Sequence, residues 1–465
     1  MNRNENNGKR RSAPNNPGRG EKSPLRPAVR NNAENRTRGE TRTVRREVHK
    51  TSENANENNT PRKDGRSRTE PGKRLFRGAD VRQNDFIKRP DVVRVRGGID
   101  RTMLIIIILM LCFGSVMVFS ASYATARNTE GDSFFYIKKQ IIFATLGIIA
   151  MCGIGFLDYR VIRKLVPVTF IAAAVLLFTV LVAGISQGVA QRWLVLGPIS
   201  FQPSEVMKPV LALFLANYFA HNQDKVTNYR DFKQSSIWGD LIPALIVGFV
   251  CIEVALEKHL SGTIIMFLIG VVIIFCGGAR KFWIFLTGGG GAALVGIVYA
   301  ATPYVRKRVD IFLHPEKYDA LDETMQTIQG LNAVGNGGLL GVGLGNSYQK
   351  YSFVPMPQND FIFSIVCEEL GFVGALAVIA LFVLFIWRGF VIAMKAPDTF
   401  SSLAVIGIVA HVAIQAILNI AVVTAMIPNT GITLPFFSYG GSALVILMAE
   451  MGVVLAISRY SYKED

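Results

Sequence analysis

Three consecutive basic residues, Arg306, Lys307 and Arg308, directly follow a long apolar run and open a polar segment of about residues 302–360. The segment also carries several carboxylates and a glycine-rich stretch at 335–345. Long loops in compact proteins usually carry function, and Arg and Lys bind phosphate groups well. The pattern therefore favours recognition of an anion, with lipid phosphate as the natural candidate. The alternative is a loop whose charges are only solvated.

Polar side chains also interrupt the apolar runs themselves. Residues three or four positions apart lie on the same face of a helix. This spacing occurs in three pairs: Glu205 and Lys208, Glu253 and Glu257, and Gln415 and Asn419. Glu450 is a single ionisable residue in the last apolar run. Such groups inside a membrane mark either a functional pathway or hydrogen bonds that fix helix packing. The sequence leaves both interpretations open.

The apolar runs predict how the chain is organised in a membrane. A span needs about 20 mostly apolar residues, and ten segments qualify: 103–122, 138–157, 163–186, 205–221, 240–257, 260–278, 282–301, 360–388, 400–427 and 439–458. We therefore expect an all-α polytopic membrane protein with ten transmembrane helices in a domain covering residues 101–465.

The distribution of Lys and Arg predicts the orientation of these spans. Basic flanks place both termini in the cytoplasm, so the large loop between helices 7 and 8 is extracytoplasmic, as are 187–204 and 428–438. The basic residues left outside include Arg192, Lys317 and Lys350. The first span is long enough to act as an uncleaved anchor in the plasma membrane.

Residues 1–100 differ sharply from the rest of the chain. They hold 26 of the 50 Lys and Arg residues but only 13 of the 34 Asp and Glu residues. Few apolar residues are available to offset chain entropy, so we expect a disordered basic cytoplasmic tail. Its charge predicts weak contact with anionic lipid, and contact with cytosolic proteins is an alternative.

The cysteines predict neither a metal site nor a disulfide. All five lie in or beside apolar runs, and they form no Cys-x-x-Cys or Cys/His spacing. We expect small core residues at these positions.

Three blocks of residues resemble the SEDS family of peptidoglycan polymerases (shape, elongation, division and sporulation), which includes FtsW, RodA and SpoVE. The first comprises Arg192-Trp193 and the run from Phe201 to Lys208. The second runs through the outer loop to Asp360-Phe361-Ile362-Phe363 and Glu368-Glu369-Leu370-Gly371. The third runs from Pro428 to Ser442. The resemblance covers residues 103–460, and the Asn-Ser-Tyr-Gln-Lys segment is more similar to the FtsW/SpoVE branch.

The resemblance implies a catalytic aspartate in the outer loop, about seven residues before a Gln. Counted back from Gln326, that position is Asp319, followed by Ala320 where the family has Pro; Asp322 is the second choice. A further departure is His259, which begins the segment that replaces the family's Pro-Asp-Leu-Gly-Thr.

The resemblance also implies a reaction, which is the polymerisation of lipid II into glycan strands. Asp319 would accept the proton of the attacking sugar hydroxyl, while cations stabilise the departing lipid diphosphate. The residues expected to bind substrate are Arg192, Glu205, Lys208, Arg306, Arg308, Gln329, Lys350, Asp360 and Ser438. The chemistry is compatible with a divalent cation, Mg²⁺ or Mn²⁺. The implied partners are a class B penicillin-binding protein and other divisome or elongation proteins.

Two other functions fit the same residues. Intramembrane charges and broken helices also suit a lipid II flippase, and the protein could instead be a non-catalytic division scaffold. The sequence does not separate roles in division, elongation and sporulation.

Overall fold

The computed structural model describes residues 97–187, 190–196, 199–227, 232–278, 289–290, 296, 299–300, 302–318, 324–351 and 353–460. In chain order its helices are α1 Arg101–Glu130, α2 Phe135–Phe156, α3 Tyr159–Ala183, α4 Pro203–Val226, α5 Phe232–Ser236, α6 Ile242–Leu256, α7 Leu260–Cys276, α8 Pro303–Leu313, α9 Met325–Asn336, α10 Ile362–Met394, α11 Thr399–Val423 and α12 Gly441–Ser458. A π-helical turn, Ile237–Leu241, joins α5 to α6.

Seven segments of the described chain are long and apolar enough to cross a membrane: α1, α2, α3, the α5–α6 unit, α10, α11 and α12. Helix α7 is apolar but shorter, and α4 carries Glu205 and Lys208 in its first turns. The predicted span 282–301 and the predicted tail 1–100 lie almost entirely outside the described residues. The structure thus shows a mostly helical protein with several spans, and the count of ten stays a prediction.

A small sheet, absent from the sequence prediction, follows α3. Strands β1 Ile185–Gln187, β2 Ala190–Leu196 and β3 Ile199–Phe201 form two antiparallel pairs in the order β1-β2-β3. The hydroxyl of Ser442, in the first turn of α12, donates to the carbonyl of Ser200 at 3.2 Å. The sheet is thereby joined to the end of the bundle where α12 begins.

Small residues permit close packing of α2 against α12. A Cβ at Gly452 would lie 2.7 Å from the carbonyl oxygen of Met151, and one at Gly147 would lie 2.8 Å from Cγ of Met448. Helices in a membrane associate through such close packing, because lipid removes the hydrophobic driving force between them. This seam fixes α12, which bears Glu450, against the rest of the bundle.

Candidate functional site

Four polar residues from four separate segments meet beside the start of α10. The carboxylate of Asp360, two residues before α10, accepts a hydrogen bond from the amide of Gln326 at 3.2 Å. Gln326 in turn accepts from the amide of Asn429 at 2.9 Å, and Arg308 of α8 donates to the Asn429 carbonyl. We call these four residues the Asp360 cluster. They join the large loop to the irregular segment between α11 and α12.

The cluster places a carboxylate in a poorly hydrated site. Burial raises the pKa of Asp360, while the positive charge of Arg308 and the hydrogen bond from Gln326 oppose that rise. The Asp360 carbonyl also accepts from the amide of Asn419, 2.7 Å away. Asp360 is therefore held in place through both its backbone and its side chain. Such a fixed carboxylate is suited to orient a ligand.

The backbone at Gly431 lies close to the Asp360 cluster. Gly431 has φ +68°, a conformation that disfavours other residues. A Cβ there would lie 3.5 Å from the Asp360 carboxylate, and its amide donates to the side chain of Asn429 at 3.1 Å. The glycine lets the 428–438 segment turn beside the carboxylate.

A second cluster anchors the glycine-rich loop to α10. Lys350 is fully buried, and its ammonium lies 2.9 Å from the carboxylate of Glu369 and 2.6 Å from the carbonyl of Gly345. The hydroxyl of Ser120 on α1 completes the surroundings of Glu369 at 2.6–2.7 Å. This placement favours a structural role for Lys350 over contact with a phosphate.

Glu368 fixes the same loop from the adjacent position. Its carboxylate accepts from the hydroxyl of Ser347 and from the backbone amides of Tyr348 and Gln349 at 3.2 and 3.3 Å. Helix α10 breaks at Gly371, where φ is +67° and ψ −164°. That break allows the backbone of Gly341 to approach within contact distance.

A chain of polar side chains crosses the bundle interior. Lys208 pairs with Glu205 at 2.7 Å and donates to Gln415 at 3.1 Å. Gln415 lies 3.0 Å from His411, which lies 3.1 Å from Glu450. The chain links α4, α11 and α12.

Four members of this polar chain, Glu205, His411, Gln415 and Glu450, line a small cavity together with residues of the 433–440 segment. The cavity measures about 30 Å³, which accommodates water but no sugar phosphate. In this conformation Lys208 contacts Glu205 and Gln415, and the cavity beside Glu205 is too small for a disaccharide.

Three other residues expected to bind substrate lie at different places. Arg306 is exposed and donates to the carbonyls of Tyr299 and Ala300 at 3.2 and 2.6 Å. Gln329 accepts from Asn332 at 3.1 Å. The buried hydroxyl of Ser438 accepts from the backbone amide of Leu434 at 2.7 Å, which stabilises a turn.

The three remaining candidate residues are described in part or not at all. Arg192 lies on β2, with its side chain outside the described part of the structure, and Asp319 and Asp322 fall in the segment 319–323 that the structure does not describe. The residue before Asp319 is anchored, since the hydroxyl of Tyr318 donates to Asp310 of α8. Asp319 thus follows a residue fixed to the helix that carries Arg308.

The described residues of the Asp360 cluster do not offer the set of oxygen ligands that a divalent cation needs. The Asp360 carboxylate has an amide N–H and an arginine beside it, whereas Mg²⁺ prefers several oxygen ligands. Among the described residues, no group of three His, Cys, Asp or Glu residues has the arrangement of a metal site.

Sequence reasoning missed several members of these clusters. Ser120 gave no signal, because a serine in an apolar run is common. His411 could have been found, since it lies four residues before Gln415 and therefore on the same helix face. His259, a departure from the family pattern, lies 3.2 Å from the hydroxyl of Ser204 and 3.3 Å from the amide of Gln202.

The several long apolar helices define the class of this protein, which is a multi-pass membrane protein. Its polar site is built mainly from the long loop between them. Residues 100–463 match the family model for FtsW, RodA and SpoVE, described as cell cycle protein. The chain belongs to this family, so the resemblance predicted from the sequence is confirmed.

Individual relatives agree with this assignment. The chain is 41% identical over 366 residues to stage V sporulation protein E of Bacillus subtilis, covering 78% of this chain and 97% of that protein. It is 35% identical over 367 residues to a probable peptidoglycan glycosyltransferase FtsW of a Geobacter species, with 78% and 97% covered.

Solved structures show the same fold. A chain from a peptidoglycan synthase complex that coordinates polymerization and crosslinking matches with a TM-score of 0.64 at 27% identity, covering 79% of this chain and 99% of that one. The rod shape determining protein RodA of Thermus thermophilus matches with a TM-score of 0.56 at 26% identity, covering 79% and 98%.

Proposed function

We propose that this chain is a peptidoglycan glycosyltransferase that polymerises lipid II at the outer face of the cytoplasmic membrane. The observation that carries the proposal is the family match across residues 100–463, together with relatives named as glycosyltransferases of this kind. The described outer segments supply a cation and a fixed carboxylate beside each other in Arg308 and Asp360. Such a pair suits a substrate with both a diphosphate and sugar hydroxyls.

In the proposed reaction, the 4-hydroxyl oxygen of one GlcNAc forms a bond to C1 of the next MurNAc. The bond from C1 to the lipid diphosphate breaks, and the proton of the hydroxyl passes to Asp319 as general base. Negative charge then builds on the leaving diphosphate. Arg306 and Arg308 would stabilise that charge from α8, where they lie twelve and ten residues before Tyr318.

 Tyr318, the residue before the proposed base in the sequence, is fixed to that helix because its hydroxyl donates to Asp310.

The test is a polymerisation assay. The purified protein, alone and with a class B penicillin-binding protein, is incubated with lipid II, and the products are separated by length. Glycan strands that depend on this chain support the proposal. Their absence under both conditions would contradict it.

We propose a class B penicillin-binding protein as the partner. The support is that one structural relative belongs to a synthase complex that coordinates polymerization with crosslinking. Helix α10 exposes large apolar side chains along much of its length, including Phe372, Leu376, Val383 and Trp387. A partner's membrane helix could pack there, and crosslinking from these positions would detect it.

We also propose the topology predicted by the charge distribution, with both termini cytoplasmic and residues 302–360 outside. The basic tail, residues 1–100, would then lie at the inner leaflet and contact anionic lipid weakly. Labelling of single cysteines from each side of the membrane tests the topology. A reagent that reaches residue 319 only from the cytoplasm would contradict the whole scheme.

A second candidate function is transport of lipid II across the membrane. The polar chain from Glu205 through Lys208, Gln415 and His411 to Glu450 favours it, because ionisable groups in a bundle interior often line a pathway. The polymerisation assay separates the two functions, since a transporter makes no glycan strands.

A further inference from the structure

A cavity of about 530 Å³ opens where α3 begins, at the end of the bundle opposite the Asp360 cluster in the predicted topology. Its lining combines the first turns of α3, the C-terminal half of α4 and the residue before α11. The polar lining residues are Arg160, Arg163, Lys164, Asn217, His221 and Asp398. The volume is in the range of small-ligand sites.

The three cations of α3 share one face of the helix. Arg160 precedes Arg163 by three residues and Lys164 by four, and Pro167 continues the same face. Pro167 has no N–H to donate to the carbonyl of Arg163, so the helix leaves that acceptor available to another donor. The face thus presents three positive charges to the cavity, and Pro167 lines the cavity as well.

Arg163 is held in place by its neighbours. Its Nε donates to the amide oxygen of Asn217 at 3.1 Å, and its guanidinium lies 3.5 Å from the Asp398 carboxylate. The guanidinium also lies over the ring of Phe400, 5.4 Å from its centroid. A preorganised arginine of this kind favours binding of a planar or tetrahedral anion.

The cavity is strongly positive. Asp398 is the one carboxylate in its lining, against three permanent cations and His221. The side chains of Arg160 and Lys164 are both exposed. Arg160 also interacts with the side chain of Tyr159 and with the nearby carboxylate of Asp158, which lies just before α3. An anionic ligand can still approach both exposed cations from the solvent side.

The same helix continues into an apolar surface. Leu165, Val168, Ile171 and Val175 are each at least half exposed, at 50, 64, 63 and 58%. This surface contacts lipid chains in a membrane, and it starts at the rim of the cavity. A ligand with a charged head and apolar chains matches both parts.

We propose that this cavity binds the headgroup of an anionic glycerophospholipid from the predicted cytoplasmic leaflet. The phosphodiester contacts Arg160, Arg163 and Lys164, and the acyl chains lie along the exposed apolar face of α3. Hydroxyls of a glycerol headgroup donate to the carboxylate of Asp398 or to the carbonyl of Arg163. Basic pockets between spans on the cytoplasmic side are a recurring way of binding such lipids.

The test is a lipid titration of the purified, delipidated full-length protein followed by native mass spectrometry. We expect the first, tightest-bound molecule of phosphatidylglycerol to bind at least tenfold more tightly than the first molecule of phosphatidylcholine. The double variant R160Q/K164Q should weaken phosphatidylglycerol binding about 25-fold, because each cation near the headgroup contributes about fivefold. Should the double variant fail to fold, K164Q alone should weaken binding about fivefold.

The matched control is K138Q/K139Q, which removes two exposed cations from the other end of α2. This variant should bind phosphatidylglycerol as the wild type does. Equal weakening in both double variants, or equal affinity for the two lipids, would overturn the proposal. Inorganic phosphate that binds the protein as tightly as phosphatidylglycerol would also overturn it, because the site would then recognise free phosphate rather than a lipid.

Discussion

The ammonium of Lys350 and the carboxylate of Glu369 form an ion pair, 2.9 Å long, in which both side chains are completely buried. The pair joins the end of the glycine-rich loop to α10, and Ser120 joins it to α1. Taking two charges out of water is costly unless further hydrogen bonds surround them. The Gly345 carbonyl and the Ser120 hydroxyl supply those bonds.

Loss of one partner of this pair should destabilise the protein strongly. We expect K350M to lower the free energy of unfolding by about 3–5 kcal/mol, because it leaves Glu369 as an unpaired buried charge. Thermal unfolding in detergent measures the change. The double variant K350M/E369L should recover much of the loss, and a double variant as unstable as K350M would contradict this account.

The backbone break at Gly371 should tolerate no side chain. In G371A the new Cβ would lie 2.3 Å from the amide nitrogen of Gly341, at a φ of +67°. We expect a loss of stability larger than the 1–2 kcal/mol typical of strain at such a position, about 3 kcal/mol in total. The control is G153A in α2, where a Cβ meets no atom within 4 Å. That variant should keep or raise the melting temperature, because alanine favours a helix over glycine.

Asp360 should make stability depend on pH in a defined direction. Burial raises its pKa in the folded protein above the ordinary 3.8, so folding favours the protonated form. The stabilising contribution of protonated Asp360 is fully present below the pKa that the residue has in the unfolded chain. It is lost as the pH rises through the pKa of Asp360 in the folded protein. We therefore expect the stability of the wild type, relative to D360N, to fall as pH rises from about 4.

Melting temperatures of the two proteins measured side by side from acid to neutral pH give this comparison. A difference that stays constant over the range would show that the Asp360 pKa is not raised. R308Q provides the complementary variant: without the positive charge, the pKa of Asp360 should rise further and the pH dependence should extend to higher pH.

The sequence predicted the long helices well, because apolar runs of 20 or more residues have few alternatives in a membrane. Predicted ends at 138–157 and 260–278 differ by a few residues from Phe135–Phe156 and Leu260–Cys276. The pairing of Glu205 with Lys208 followed from their spacing and is confirmed at 2.7 Å. Both predictions use only local sequence features, namely the length of an apolar run and the spacing of two residues along a helix.

Long-range partners could not be predicted in the same way. Nothing local indicates that Lys350 meets Glu369 rather than a ligand, or that Gln326 and Asn429, 103 residues apart, form a hydrogen bond. Such contacts depend on how the loop folds over the bundle. The small sheet at 185–201 was missed because two of its three strands have only three residues, although Gly188 and Gly197-Pro198 between the strands are turn signals.

The proposed general base gives the most direct prediction for activity. We expect D319N to lower the rate of glycan polymerisation by about 10²–10⁴-fold, since an amide cannot accept the proton of the sugar hydroxyl. D322N is the matched control, because it removes a carboxylate three residues away in the same segment and should leave the rate within a few-fold. Both variants should bind lipid II and unfold at the wild-type temperature, because the charge of residue 319 is needed for proton transfer and not for binding. If D322N abolishes polymerisation while D319N retains it, the base is Asp322; if both retain it, neither aspartate acts as the base.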